Sequence, residues 1–395
     1  MKIDNINVKI ILDSRGNPTL EAKMESEGVS VISSVPSGKS TGKGEAVSIA
    51  PEKALEKVDW IKSQLKGHEF ATLDQFDNLL MTLDGTSDKS RLGANLILAL
   101  SISFTKLLAK LGNLEIYELI SKVSGSPAKL PKCFFNVING GLHAKNSLPF
   151  QEYLFVPENN YPKESLEQVM LVIKSLADQI MQKYEKLRQG DEGGYEVPEQ
   201  DPSIGLEILK KAWPFSKRPG LGQEMGLDVA ASTFYHDGLY RVGDEIKTTE
   251  QLFSYYKQLT TDYKLLSIED PFAEDDWEGF SKITSFLGEK TWIIGDDLTV
   301  TNVKKIKETY EKKAINGVII KPNQIGTITE TIMAANLAKS YGWKIIVSHR
   351  SGETMDSFIA DLAVGLGADG LKSGCPLQKE RLVKYQRLIE IEGKI

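Results

Sequence analysis

The residues with the most chemical promise stand just after short apolar runs in the C-terminal two thirds of the chain. Asp228 follows MGL, Glu269 follows LLSI, Asp296 follows WIIG, Lys321 follows GVII, His349 follows KIIVS and Lys372 follows DGL. Three of the six are carboxylates. Crowded carboxylates repel, and their pKa values rise unless a cation lies among them. Acidic oxygen ligands with room for water suit Mg²⁺. Zinc is disfavoured, because the chain has only 4 histidines and 2 cysteines and no zinc-type ligand spacing. The cationic groups Lys321, Arg350 and Lys372, with His349 among them, fit a substrate carrying more than one negative charge. Arg350 can grip a phosphate through two donors. Lys321 sits behind an apolar run and is expected to be desolvated. Burial and neighbouring cations lower a lysine pKa and fit it for general-base work. Taken singly, each residue has an ordinary alternative: an acid capping a helix, or a strand-end lysine in a salt bridge.

Three further stretches are dense in turn formers. PSGKSTGKGE, Pro36 to Glu45, resembles a phosphate-cradling loop but lacks the P-loop spacing. A lid that excludes water on closing is the more useful reading, with Ser40 or Thr41 offering a hydroxyl to a metal. NGGLHAKNSLPFQE carries His143, Gln151 and Glu152, and GDEGG carries Asp191 and Glu192. Paired glycines beside an acid point to close backbone approach. His143 reads equally well as a hydrogen-bonded structural imidazole.

Repeated units must position these groups. The six strand-end residues recur at about one strand–loop–helix–loop length, roughly 25 to 30 residues, after a longer first interval. Such repeats predict an α/β fold, a (β/α)8 TIM-type barrel whose C-terminal strand ends converge on one face. The N-terminal part has another rhythm. KIILD, PTLEAKME and VSVISSV read as an antiparallel meander. ALEKVDWIKSQL, ATLDQFDNLLMTLDG and ANLILALSISFTKLLAKL carry apolar residues at helical spacing. The turn-rich GSPAKLP, ending at Pro131, marks the boundary. A smaller α+β domain is expected over residues 1–128 and the barrel over 129–395.

Bulk properties agree. The 395 residues exceed one ordinary core. With 48 basic and 54 acidic residues the net charge is −6, which argues against a nucleic-acid partner. Cys133 and Cys375 lie far apart and form no disulfide framework, which fits a reducing cytoplasm. The N-terminus lacks a signal-peptide pattern. The most apolar stretch, Leu92 to Phe104, is too short and too interrupted by polar residues to predict a membrane span.

Taken together these strings resemble the enolase family. The match runs in order through DSRGNPTLE, VPSGKSTGKGEA, LDGTSDKSRLGAN, FFNVINGGLHAKN, QEYLFVP, GDEGGYEVP, GLDVAASTFY, SIEDPFAEDDW, GDDLTVTN, IIKPNQIGTITET, VSHRSGETMDSFIADLAVG and ERLVKYQ. The resemblance implies a modified barrel behind a small α+β domain, and dehydration of 2-phosphoglycerate to phosphoenolpyruvate. It implies two Mg²⁺ ions per active site, the chemistry by which this superfamily stabilises an enediolate. By resemblance, Lys321 is the base at C2, and Glu192, supported by Glu152, assists loss of the C3 hydroxyl. Asp228, Glu269 and Asp296 hold one Mg²⁺, and Ser40 ligates the other. Arg350 and Ser351 hold the phosphate and Lys372 the carboxylate, while His143, Gln151 and His349 complete the pocket. A cytoplasmic homo-oligomer is implied as well.

The chain departs from the family pattern in a few places. Lys39 stands where a small Ala is usual. Pro322 follows the proposed base and removes an N–H there. Gln378 and Lys379 replace an Arg–Ser pair. Glu390 stands where an Arg often pairs with a partner-subunit acid matching Glu21. Two other readings are a related enzyme abstracting an α-proton from another carboxylate, and a non-catalytic binding protein derived from an enolase. The second predicts a lost site residue, and none is lost.

Overall fold

The computed structural model of the chain describes residues 1–39, 42–213 and 222–395. Three strands open it: β1 (Asn5–Leu12), β2 (Pro18–Ser26) and β3 (Val29–Ser34), an antiparallel meander. The β2–β3 turn is Glu27–Gly28, both at positive φ, the two-residue geometry that matches strand twist. Helices α1 (Pro51–Leu65), α2 (Leu73–Asp84), α3 (Ala94–Leu111) and α4 (Ile116–Ser124) follow. The first three match the apolar spacing read from the sequence, whereas α4 was not foreseen. α3 packs on β2 and β3, whose alternate residues Leu20, Ala22 and Met24 are fully buried. α3 outruns the apolar stretch seen in the sequence. Among the described residues it is the one helix long and apolar enough to cross a bilayer, and most of it is buried in this core.

Eight strands then close into a barrel. They are β4 (Lys132–Asn139), β5 (Glu152–Pro157), β6 (Gln223–Asp228), β7 (Leu265–Glu269), β8 (Trp292–Gly295), β9 (Gly317–Ile320), β10 (Lys344–Ser348) and β11 (Gly370–Lys372). Each pairs with the next, and β11 returns to β4 to close the ring. β5 runs antiparallel to both β4 and β6, and the remaining pairs are parallel. Two helices, α5 (Pro162–Tyr184) and α6 (Pro202–Ala212), separate β5 from β6. One long helix follows each later strand: α7 (Thr249–Tyr263), α8 (Trp277–Leu287), α9 (Val303–Glu311), α10 (Ile328–Ser340), α11 (Phe358–Gly365) and α12 (Lys379–Glu392). The long first interval of the repeat holds an extra meander, Tyr235–His236, Leu239–Val242 and Glu245–Lys247. Phe134, Leu154, Val156, Ile294, Ile319 and Ile346 fill the barrel interior as one apolar cluster.

The N-terminal part caps a barrel helix. The first N–H groups of α10 have no intrahelical partner. Ile328 N–H donates to Ser101 Oγ of α3 at 3.0 Å, and Thr329 N–H donates to Asp77 Oδ2 of α2 at 2.9 Å. Asp77 is fully buried, and burial pushes its carboxyl up from 3.8 to about 6. A raised folded-state value means that the proton favours the fold. The resulting stability is full below the unfolded value and is lost as pH rises through about 6. The shift corresponds to ~3 kcal/mol. Asp77→Asn is therefore expected to flatten the fall in melting temperature between pH 4 and 7. Thermal scans of both proteins across that range check it, and parallel curves would contradict it.

Candidate active site

All six strand-end groups reach one rim. Asp228, Glu269 and Lys372 are the last residues of β6, β7 and β11, and Asp296, Lys321 and His349 directly follow β8, β9 and β10. Glu152 joins them by a different route. It is the first residue of β5, and because that strand is reversed, Glu152 lies opposite Asp228. The GDEGG segment is folded tightly under the His143 turn. Asp191 N–H donates to the His143 carbonyl at 2.8 Å, and a Cβ on Gly190 would meet that oxygen at 2.5 Å. In the glycine pair, a Cβ on Gly194 would meet the Val137 carbonyl carbon at 3.0 Å, so that position serves close backbone approach as predicted.

Two ammonium groups lie among the acids. Lys372 Nζ is 2.7 Å from Glu269 Oε2, 3.1 Å from Asp228 Oδ2 and 3.3 Å from Glu152 Oε2. Lys321 Nζ pairs with Asp296 Oδ2, while Gln324 Nε2 donates to Asp296 Oδ1 at 2.9 Å. The expected lowering of the Lys321 pKa is not seen in this arrangement. Burial, the largest influence, pushes it down with help from Arg350 and Lys372, but Asp296 outweighs them and the group lies above its ordinary value. Pro322 does not disturb the lysine. It is the first residue of a one-turn helix, Pro322–Ile325, where an N–H would lack a helical partner anyway. Lys321 N–H itself donates to Thr301 Oγ1 at 2.9 Å.

A second cluster surrounds Glu192. His143 Nδ1 is 3.4 Å from Glu192 Oε1 and 3.6 Å from Glu152 Oε1. Asn136 Nδ2 donates to Glu192 Oε2 at 2.8 Å, and His349 Nε2 lies 3.4 Å from that oxygen. Burial and the Glu192 charge push Glu152 up to about 7. Glu192 is buried too, but His349 and His143 hold it well below the usual carboxylate range. Burial opposes a charge on His143, yet Glu192 and Glu152 raise its pKa. Glu152 and His143 thus hold protons more readily than isolated side chains do, beside a Glu192 held ionised.

The Arg350 fork meets Glu45, with Nη1 3.0 Å from Oε2 and Nη2 3.3 Å from Oε1. Ser351 Oγ and Gln151 Oε1 are buried and have no hydrogen-bond partner among the described residues. Buried polar atoms ordinarily have partners, so these two point to a polar ligand. Ser40, with Thr41, lies outside the described residues. Lys39 reaches across from the same loop, its Nζ 2.8 Å from Asp191 Oδ2 and 2.7 Å from the Leu142 carbonyl oxygen.

The acids fit a hard divalent cation. Their donors are all oxygens, and burial with Asp228 nearby pushes Glu269 well above its ordinary value even though Lys372 opposes the rise. Among the described residues, Asp270, Asp296 and Asp297 are near enough to share an ion, as are His143, Glu152 and Glu192. Asp228 and Glu269 are instead joined through Lys372. Sequence reasoning missed Asp270 and Asp297. The Asp270 carboxylate accepts the N–H groups of Asp296 at 2.9 Å and Asp297 at 2.8 Å, from a residue at φ +41°. The doubled acids of IEDP and GDDL were the available signal. Burial and Asp296 push Asp297 up to about 7, a further sign of uncompensated negative charge.

Comparison with known proteins agrees with this geometry. The family model described as "Enolase, N-terminal domain" matches residues 3–120, and "Enolase, C-terminal TIM barrel domain" matches 127–395. Enolase B of Dictyostelium discoideum is 41% identical over 424 residues, covering 100% of this chain and 95% of that protein. The enolase of Ehrlichia ruminantium (strain Gardel) is 40% identical over 407 residues, covering 99% and 96%. With both halves of the family matched in order along one chain, and its barrel rim carrying the residues described, this chain belongs to the enolase family.

Proposed function

We propose that the protein dehydrates 2-phospho-D-glycerate to phosphoenolpyruvate with Lys321 as the base that takes the C2 proton. The observation that carries this reading is the meeting, at one barrel rim, of a largely buried lysine, three strand-end carboxylates and a Glu152–His143–Glu192 cluster within ion-pair distance. Lys321 takes the proton α to the substrate carboxylate. Glu192, fed by Glu152 and His143, then gives a proton to the departing C3 hydroxyl. Arg350 exchanges the Glu45 carboxylate for the phosphate, a fork-to-oxygen match that a lysine cannot reproduce. Ser351 Oγ and Gln151 Oε1 gain the partners they lack, and Lys372 turns to the substrate carboxylate. Asp228, Glu269 and Asp296 would hold one Mg²⁺, and Ser40 would serve a second. Mg²⁺ there would supply positive charge against the enediolate, and an Asp296 carboxylate committed to the ion would no longer hold the proton on Lys321.

We place the domain junction at 128/129, within the turn-rich linker, and the reaction in the cytoplasm, where the two buried free cysteines Cys133 and Cys375 fit. Assembly is proposed to be homo-oligomeric. Glu390 pairs with Arg387 of its own helix at 3.0 Å and Glu21 with Lys9 at 2.8 Å, and the two acids cannot pair with one another across a subunit contact.

Chelation tests the metal claim. EDTA is expected to reduce formation of the ultraviolet-absorbing enol product to background, and excess Mg²⁺ to restore it. Undiminished turnover after exhaustive chelation would contradict the metal requirement.

A further inference from the structure

We propose that Arg381 is a positioning residue that fixes His349 as the Nε2–H tautomer, aimed as a donor at Glu192. The Arg381 side chain is fully buried beside the site. Its Nη1 lies 2.6 Å from His349 Nδ1 and 2.6 Å from the Arg350 carbonyl oxygen. Its Nη2 lies 2.7 Å from the Ser351 carbonyl oxygen and 3.4 Å from the Asp191 carbonyl oxygen. Its Nε donates to Gln378 Oε1 at 3.2 Å, and Gln378 Nε2 donates to the same Asp191 carbonyl at 3.3 Å.

A guanidinium has five N–H donors and no acceptor. Both Nη1 hydrogens are used, one of them on His349 Nδ1. That nitrogen must therefore offer its lone pair, and the ring proton belongs on Nε2. His349 Nε2 faces Glu192 Oε2 at 3.4 Å. Protonating Nδ1 as well would set an N–H against the arginine N–H at 2.6 Å. The ring also sits in full burial, and burial with Arg381 beside it lowers the imidazole pKa to about 4 although Glu192 opposes the shift.

Two imidazoles thus flank Glu192 with different duties. His143 faces both carboxylates, which favour its charged form. His349 is a fixed neutral donor that orients Glu192 and does not shuttle protons. Arg381 also ties the backbone of the SHRS turn to that of GDEGG, which sets the distance between the phosphate grip and the acid. The link to catalysis rests on Glu192 assisting the leaving hydroxyl, whereas the tautomer assignment stands by itself.

The test is ¹⁵N NMR of the full chain labelled at histidine, which has only 4 imidazoles to resolve. At pH 7 the wild-type His349 ring is expected to show an unprotonated Nδ1 and a proton-bearing Nε2. A proton on Nδ1, alone or with Nε2, would overturn the proposal. In Arg381→Met the Nδ1–H form is expected to appear, and kcat to fall about 10- to 100-fold, the usual effect of losing such an orienting partner, with KM changed less. Arg381→Lys keeps one donor and is expected to recover the wild-type ring pattern and part of kcat. If the methionine variant does not fold, the wild-type spectrum and the lysine variant still decide. A rate loss without any ring change would reduce Arg381 to a structural residue and overturn the proposal. A ring change without a rate loss would uphold the tautomer and count against the role of Glu192.

Discussion

Lys321→Ala is expected to lower kcat by at least ~10²–10⁴-fold, the range that a positioned general base contributes, and to abolish exchange of the C2 proton with solvent. The lysine is held on a one-turn helix start between Thr301 and Asp296, so truncation removes the base without removing the scaffold. The partner variant Glu192→Gln separates the steps. It is expected to retain C2 exchange while losing overall dehydration, because it impairs only departure of the hydroxyl. Proton NMR of substrate in D₂O reads both. Exchange that persists in Lys321→Ala would move the base elsewhere, with Lys372 the next candidate.

Asp296→Asn is expected to weaken Mg²⁺ binding and turnover together. The side chain bonds Lys321 and Gln324, and its neighbours Asp228 and Glu269 lie on adjacent strand ends. Asparagine keeps the size and the contact to Gln324 but discards the charge. Loss of an outer partner of a metal ligand typically costs about 10–100-fold, so loss of the ligand charge itself is expected to exceed ~100-fold in apparent Mg²⁺ affinity. Calorimetric titration with Mg²⁺ measures it. Unchanged affinity would show that the ion is held by the Asp270–Asp297 side of the site instead.

The strand-end residues were legible in the sequence because a parallel barrel strand announces its end. The apolar run stops, and the next polar group faces the rim. That rule reached Asp228, Glu269, Asp296, Lys321, His349 and Lys372. It could not reach Glu152, which begins a reversed strand and therefore precedes its apolar run. Turn-rich strings marked that residue and Glu192, and the family resemblance supplied their roles. Asp270 was hidden because its role is to bind the backbone N–H groups of Asp296 and Asp297, a contact set by a left-handed backbone residue and not by spacing. Arg381 was hidden because it acts across 32 residues on His349 and across 190 on the Asp191 carbonyl.

The direction of the Lys321 pKa was misjudged for a related reason. Burial and nearby cations were visible in the sequence, whereas the contact with Asp296 that outweighs them depends on packing between adjacent strand ends. The N–H that Pro322 removes is one that the first residue of a helix does not need, which only its place at a helix start reveals.

The most direct test of the account is incubation of the purified protein with 2-phosphoglycerate and Mg²⁺ in D₂O, followed by proton NMR. The C2 proton signal is expected to disappear while the vinyl signals of phosphoenolpyruvate grow. Persistence of the C2 signal with no vinyl product, at any Mg²⁺ concentration, would contradict it.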